Sequence, residues 1–463
     1  MIEGMEREIA TALDALTEVE WVTGEKLAVD WQKQLYCLGL NLSSIAAVFP
    51  KTVEQLSQVV ELAAAKQGKI IPCGNGSKLS WGGPVGVWSP NPALLSPNPA
   101  LLSPNPALLP PNLLPPNPAL LVSTQRLDRI IEHAVGDLTV TVEAGVKFAD
   151  LQAVLQPTGQ FLPLDPAYPH DATLGGIVAT ADSGSWRHRY GGVRDLLLGL
   201  SFVRGDGKLA KAGGRVVKNV AGYDLMKLFS GSYGSLGIIS QLTFRTYPLL
   251  PESGTILLTG EADRIASISQ TLLNSALSPT RVDLLSFGIL KELEIAGKLG
   301  LAVQFASILE SVKEQQERLS SWGEKLGLNV ICDRQIWPQV HQLARVRKSP
   351  DAAIAKIGLL PSHAVNFLQE LEVISPQQDL GLIHAGSGLG YLHLTGEDIT
   401  LRLKQLREIC QEKQGFLTIL EAPIAIKKQL EPWGYTGNAL ELMRQIQQKF
   451  DRDRLFNSGR FLV

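Results

Sequence analysis

The sequence is short of sulfur. Its 463 residues include four cysteines, Cys37, Cys73, Cys332 and Cys410, and no two of them form a CxxC pair. An iron–sulfur cluster needs several closely arrayed thiolates, so this chain cannot build one alone, and a disulfide framework is not expected. Charge of one sign is also lacking: 43 Lys and Arg stand against 45 Asp and Glu, which removes the electrostatic case for a nucleic-acid partner. No stretch approaches the roughly 18 uncharged apolar residues of a membrane span. The first residues, MIEGMEREIATALDAL, have the mixed charge of an amphipathic helix and lack the basic and apolar regions of a signal peptide. The expectation is a soluble, cytoplasmic protein that meets a membrane only through a partner. Neither GxGxxG after a strand nor GxxxxGK[ST] occurs, which excludes the Rossmann and P-loop modes of phosphate binding. If the chain handles electrons, it must do so with an organic cofactor.

The length implies two or three domains, and a hydrophobic content of 45% is enough to give each a core. Units of SPNPALL begin at Ser89, Ser96 and Ser103, a shortened PPNLL follows at Pro110, and PPNPALL at Pro115 closes the series. The period of seven is not a coiled-coil signal, because two prolines in each unit break any helix. Extended, polyproline-like chain is expected, and the tract reads as a repeat expansion tolerated in a surface loop rather than as a docking arm. Its flanks are regular. KTVEQLSQVVELAAAKQG predicts a helix with Thr52 and Gln55 as a capping box and Gly68 as its stop. KIIPCG predicts a buried strand, ALLVSTQRLDRIIEH a strand and then a helix, TVTVEAG a strand, and KFADLQAVLQPTG a helix.

Four segments are rich in glycine: PCGNGSKL at Pro72, PHDATLGGIVATADSG at Pro169, KNVAGYDLMKLFSGSYGSLGII at Lys218 and FNSGRF at Phe456. Glycine lets backbone approach a ligand and turn its amides toward an anion. Gly74, Asn75, Gly76 and Ser77 could present successive N–H groups to a diphosphate. Thr173 could cap a helix whose amino end faces the ligand, with Gly175 and Gly176 permitting close approach. These segments in this order, with GGVRDLLLGLSFVRGDG and PWGYTGNALELMRQIQQKFDRDRLFNSGRF, resemble the FAD-binding oxidases of the vanillyl-alcohol oxidase and cresol methylhydroxylase type. Within that superfamily the sequence is most similar to the FAD-binding E subunit of glycolate oxidase, also called glycolate dehydrogenase. Ser458 stands where that family's NPGRF ending has proline.

The resemblance implies an α+β fold: a two-subdomain FAD-binding domain of the p-cresol methylhydroxylase (PCMH) type, followed by an antiparallel α+β cap domain. The expected organisation is a helical segment at 1–47, the FAD-binding domain at 48–251 with the repeat insert at 89–121, the cap at 252–430, and a C-terminal helix and tail at 431–463 returning to the FAD-binding domain. The resemblance also implies that Gly74, Asn75, Gly76 and Ser77 hold the diphosphate. Asp171, Thr173, Gly175, Gly176, Ser183 and Gly184 would line the flavin and ribityl chain, and Gly222, Asp224, Gly237, Ile238 and Ile239 would border the adenine side and flavin edge. Some members attach FAD covalently through a histidine in the first loop; here Ser77 and Lys78 stand there, so non-covalent FAD is expected. The implied activity is oxidation of glycolate to glyoxylate, with an iron–sulfur subunit and a sister flavoprotein as partners. The alternatives are a non-catalytic flavin or scaffold subunit and a stand-alone FAD-dependent alcohol or sugar oxidase.

Several residues have a plainer reading. Arg194 and Asp195 are read as a local ion pair as readily as a cofactor contact, Asp206–Gly207 as a hairpin turn, and Tyr223 as packed core. Beyond Pro251 an antiparallel sheet with helices on one side is expected, with LGLAVQFAS as a strand and SVKEQQERLSSWGEKLG as a helix. HAGSGLGYLH, from His384 to His393, sits where related dehydrogenases carry HxGDGNxH. Ser387 and Leu389 replace its aspartate and asparagine, so no metal is expected and both histidines read as incidental to a glycine-rich hairpin. Arg345, Arg347 and Lys348 are possible cations for a carboxylate, but such a basic run reads as a solvated face. No catalytic base emerges from the sequence.

Overall fold

The first layer of the protein follows from a locally encoded helix. The computed structural model describes residues 10–16, 18–85, 119–215, 222–332 and 335–461. The helix Val53–Ala65 buries Leu56, Val59, Val60 and Ala63, an i, i+3, i+4, i+7 stripe. Thr52 Oγ1 accepts the Gln55 amide at 3.2 Å, while the Gln55 side chain accepts the amide of Lys51 rather than that of Thr52. The left-handed residue that stops the helix falls one position before the expected glycine: Gln67 is at φ +51°, and Gly68 N–H closes onto Ala63 O at 2.9 Å. This helix packs beside a four-stranded sheet of β1 (Glu20–Thr23), β2 (Ile45–Phe49), β3 (Lys69–Cys73) and β4 (Ala119–Ser123), in the order β1-β2-β4-β3. Strands β2, β4 and β3 are parallel, which sends β3 and β4 to the same edge, where the Gly74 loop begins. The SPNPALL units before Ala119 lie outside the described residues.

The second sheet is antiparallel. It comprises β5 (Ile130–Ala134), β6 (Thr139–Glu143), β8 (Leu197–Val203), β9 (Leu209–Gly213) and β10 (Ile238–Arg245), in the order β5-β6-β10-β8-β9. A small ribbon joins β7 (Gln160–Phe161) to β11 (Tyr247–Pro248). Strand β5 replaces the helix expected after β4. Arg129 donates its amide and guanidinium to the buried Glu143, pinning the chain to β6 before a helix can start, and Ile131 is left exposed. Asp206–Gly207 does turn a hairpin, with Gly207 at φ +75° and Arg204 N–H bonded to Lys208 O. Tyr223 is 90% exposed and is therefore not packed core. Asp195 accepts the Gly192 amide at 2.8 Å and caps its own helical turn, rather than pairing with Arg194.

The third sheet has eight antiparallel strands: β12 (Glu252–Gly260), β13 (Arg281–Leu285), β14 (Leu299–Ser307), β15 (Asn329–Cys332), β16 (Ala353–Gly358), β17 (Leu380–His384), β18 (Leu389–Leu394) and β19 (Phe416–Glu421). Their order is β15-β12-β14-β13-β17-β18-β16-β19. The four helices Ala262–Leu273, Leu309–Lys325, Ala364–Ile374 and Ile399–Glu412 cover one face. The expectation of helices on one side alone needs correction, because Phe287–Glu292 and Ile336–Arg345 pack on the other face. Burial on both faces explains why strands such as LGLAVQFAS are continuously apolar instead of alternating. Trp81 and Ala167 join the cluster on that second face, so the sheet and the N-terminal half share a core. The C-terminal tail returns to β3: Ile70 N–H bonds to Leu455 O and Asn457 N–H to Ile70 O, each at 2.8 Å.

Candidate functional site: a glycine-lined cleft and the buried charges beside it

A cleft opens where β3 gives way to the Gly74 loop. It is lined by Gly74, Asn75, Gly76, Ser77 and Lys78, by Thr173, Gly175, Gly176 and Thr180, by Tyr233, Gly237, Ile238 and Ile239, and by Asn457 and Arg460. Ten of the fifteen residues expected at the site therefore meet around one space. Among the described residues, none of the amides from Gly74 to Lys78 donates to a protein acceptor, so the loop is a set of unused donors facing a cavity. Its two glycine positions have no room for side chains. A Cβ on Gly74 would lie 1.9 Å from Thr173 Oγ1, and Gly76 is at φ +82° with the Trp31 ring 3.2 Å from where its Cβ would be. Ser123 Oγ donates to Gly74 O at 2.7 Å and Asn75 Nδ2 to Asp171 O at 3.3 Å, which fixes the turn. Thr173 caps the helix Leu174–Thr180 by accepting the Gly176 amide.

The other five expected residues lie elsewhere. Asp171 reaches the site only through its carbonyl bond to Asn75, and its side chain is exposed. Gly222 faces open space, and Asp224 caps the short helix Leu225–Phe229 and pairs with Lys227 at 2.7 Å. Ser183 and Gly184 are buried in the join with the third sheet, where a Cβ on Gly184 would collide with Asp165 and Arg345.

The cleft also holds cations that sequence reasoning did not place. Arg460 is buried, donates to Leu79 O, Trp81 O and Asn457 Oδ1, and has no carboxylate partner among the described residues; its Nε has no acceptor. Burial brings its pKa down to about 10, which leaves it charged at neutral pH. Lys78, also buried, lies 2.8 Å from Asp182 Oδ2. Burial pulls the Lys78 pKa below its ordinary value, and Asp182 offsets part of that shift. The signal for Asn457 and Arg460 was their place in the FNSGRF segment, and Lys78 and Tyr233 likewise lie in the glycine-rich segments PCGNGSKL and KNVAGYDLMKLFSGSYGSLGII.

From Lys78 a chain of buried polar groups runs into the third sheet. Asp182 also pairs with Arg345, which donates in addition to Asp165 O. Arg345 is 1% exposed, so the expectation of a solvated basic face fails for it, although Lys348 is exposed and Arg347 bonds only to nearby carbonyls. Asp165 accepts the Gly184 and Ser185 amides, and His341 Nε2 lies 2.7 Å from Ser185 Oγ. Ser185 donates to Asp283, whose other oxygen accepts from His384 Nδ1 at 2.7 Å. A carboxylate partner places the proton on Nδ1, and the buried Nε2 of His384 has no partner. His384 is thus oriented by an aspartate, a partner that the hairpin sequence does not reveal. His393 is buried too, with Nδ1 donating to Leu343 O, which ties β18 to the helix Ile336–Arg345. Desolvation lowers the pKa of His341 well below the ordinary imidazole value, so it is neutral. Lys356 is brought down to about 8, mainly by burial and then by Arg187. Among the described residues no group of three or more His, Cys, Asp or Glu is arranged to hold a metal ion.

A family profile described as FAD binding domain matches residues 112–213, the span from β4 to β9. That span is a FAD-binding domain, and the chain is similar over most of its length to FAD-dependent oxidoreductases. It is 23% identical to glycolate oxidase subunit GlcD of Bacillus subtilis, over 90% of this chain and 89% of that protein. It is 29% identical to glycolate oxidase subunit GlcE of Escherichia coli, over 72% and 84%, and 24% identical to D-2-hydroxyglutarate dehydrogenase of Stutzerimonas stutzeri, over 90% and 91%. Among solved structures, alkyldihydroxyacetonephosphate synthase superposes with a TM-score of 0.62, covering 89% of this chain and 76% of that one. At 15% identity that likeness is one of fold alone. The cleft of this oxidoreductase suits its cofactor: a diphosphate needs several convergent donors and compensating charge, and the unused amides of the Gly74 loop and the unpaired Arg460 supply both. Bound FAD supplies a two-electron acceptor. Among the described residues no helix is long and apolar enough to cross a membrane.

Proposed function

We propose that this flavoprotein oxidises a small 2-hydroxy acid, glycolate first among them, to the 2-oxo acid, and passes the electrons to a partner subunit. The observation that carries the reading is the Asp283–His384 pair, buried in a cation-rich join that begins at the cofactor cleft. Removing hydride from a 2-hydroxy acid requires a base for the hydroxyl proton and positive charge for the carboxylate. His384 Nε2 is the base in this reading, and Asp283 holds the ring in the tautomer that leaves Nε2 free. The amides of Gly74, Asn75, Gly76 and Ser77 hold the FAD diphosphate, with Lys78 and Arg460 as its countercharges and Thr173, Gly175, Gly176, Gly237, Ile238 and Ile239 forming the walls. The names of the relatives support the substrate class, since two are glycolate oxidase subunits and one acts on D-2-hydroxyglutarate.

The word subunit in two of those names supports a complex, and an iron–sulfur protein with a second flavoprotein is the partnership proposed. The four cysteines are all unpaired, one exposed, one buried and two between, so they build no cluster that could take electrons from the flavin, which supports a partner as the acceptor. A second reading, a flavin-bearing scaffold without turnover, is favoured by one observation: Ser387 and Leu389 interrupt the histidine hairpin. The deciding experiment is anaerobic mixing of the FAD-loaded chain with glycolate, D-lactate or D-2-hydroxyglutarate. Bleaching of the flavin absorbance by one of them is expected. A flavin that stays oxidised with all three, both alone and with its partners, would remove the catalytic reading and leave the scaffold.

A further inference from the structure

Arg281 opens strand β13, and its guanidinium is held without being satisfied. It lies 3.9 Å over the Trp186 ring and 5.1 Å from the centre of the Trp337 ring. Both walls are fixed: Trp337 Nε1 donates to Thr255 Oγ1 at 3.0 Å, and Trp186 packs against Phe161 and Tyr190. Among the described residues no carboxylate pairs with Arg281, and its buried Nε has no acceptor. The nearest candidates are already engaged. Both oxygens of Asp165 accept backbone amides, and both oxygens of Asp283 are taken by Ser185 and His384. Charge in the join is unbalanced as well, since Lys78, Arg281, Arg345 and Lys356 outnumber Asp165, Asp182 and Asp283. A guanidinium stacked on indole keeps its donor edge free and loses little freedom on gripping a planar anion.

The strand sets the distance to the chemistry. Arg281 and Asp283 are two residues apart, hence on the same face of β13, about 7 Å apart along the strand. His384 is the cross-strand partner of Asp283 on β17. We propose that Arg281 is the carboxylate clamp of this enzyme, gripping the acid group of a short 2-hydroxy acid so that its hydroxyl-bearing carbon faces His384. The clamp rests on the reading of the chain as a 2-hydroxy-acid oxidoreductase, and it names the residue that makes the substrate an acid rather than an alcohol. In a 2-hydroxy acid the hydroxyl-bearing carbon is one bond from the carboxylate, which matches a clamp and a base on neighbouring positions of one sheet face.

The test uses the FAD-loaded full chain, with Arg281→Met to remove the charge while keeping the packing and Arg281→Lys to keep the charge without the fork. Oxalate, an unreactive dianion, is titrated by calorimetry, and glycolate turnover is measured with a dye acceptor. The loss of a charge-assisted pair should weaken oxalate binding about 10- to 100-fold in Arg281→Met and raise KM for glycolate by a similar factor, with Arg281→Lys between the two. FAD content and melting temperature should stay near those of the wild type; if Arg281→Met does not fold, Arg281→Lys must still show the weaker oxalate binding. Oxalate affinity unchanged in both variants, or no oxalate binding by the wild type, overturns the clamp. Oxalate binding that depends on Arg281 in a wild type that oxidises no 2-hydroxy acid would keep the anion site and sink the proposed reaction. Turnover of glycolate with KM indifferent to Arg281 would do the reverse.

Discussion

At the scale of single residues, two positions separate cofactor binding from chemistry. Gly76 is at φ +82° with Trp31 packed against the place its side chain would fill. A β-branched residue in that conformation is strained by about 1–3 kcal/mol and would turn the loop amides away from the cleft. Gly76→Val is expected to yield a protein that lacks FAD, read as the flavin-to-protein absorbance ratio after purification. A yellow Gly76→Val would remove the loop from the cofactor site. His384 is the opposite case, because it touches the cleft only through intermediaries. His384→Ala is expected to keep FAD but to lower kcat about 10²–10⁴-fold. His393→Ala, which loses a bond to Leu343 O and the packing of a buried ring, should cost about 2–5 kcal/mol of stability and leave kcat near wild type. Equal kcat in the two variants would return His384 to a structural role. The sequence did not distinguish these histidines because both sit in one hairpin motif; the aspartate that orients His384 is 101 residues away.

At the scale of elements, what was legible was local. The helix Val53–Ala65, β3, β4, β6 and the cap at Thr173 were readable because period, cap and turn residues lie within a few positions of one another. Strand β5 was misread because Leu127, Ile130 and Ile131 fit a helical stripe, and only the distant Glu143 decides otherwise. The glycine loop was legible because positive φ and close approach select glycine whatever the tertiary context. Ser183 and Gly184 were assigned to the cofactor because glycine at a close approach looks the same whether the neighbour is a ligand or, as here, Asp165 and Arg345. The repeat tract is an element-scale case too. Val85 before it is buried, with its N–H on Leu38 O, and Ala119 after it is paired to both β2 and β3. The flanks are therefore anchored independently of the repeats. Deleting Ser89 to Pro116 is expected to leave FAD content unchanged and to move the melting temperature little, since shortening a loop changes closure entropy by only about 0.6 kcal/mol per halving. Loss of flavin on that deletion would mean that the repeats shape the cleft.

At the scale of the whole molecule, the cofactor cleft and the antiparallel sheet are joined by charges as well as by apolar contact. Asp182 sits at the join, with Lys78 from the cleft on one oxygen and Arg345 from the third sheet on the other, and it also accepts the Ala167 amide. Burial alone would raise the Asp182 pKa, but Lys78 and Arg345 outweigh it and hold the carboxyl below its ordinary value. A carboxyl held low contributes stability that is present above its unfolded pKa and is lost as pH falls through its folded one. Asp182→Asn keeps the shape but leaves two buried cations facing a neutral amide, a change that costs about 3–5 kcal/mol when one partner of a buried pair is removed. The expected result at neutral pH is a lower melting temperature and partial loss of FAD, because Lys78 lines the cleft. The gap between wild type and Asp182→Asn should then narrow as the pH is taken below the ordinary carboxylate range, where the wild type protonates Asp182 and loses the same pairs. Melting curves of the two proteins across that range decide the matter. A constant gap would mean that Asp182 acts through its hydrogen bond to Ala167 rather than its charge, and that apolar contact around Trp81 holds the two halves of the molecule together.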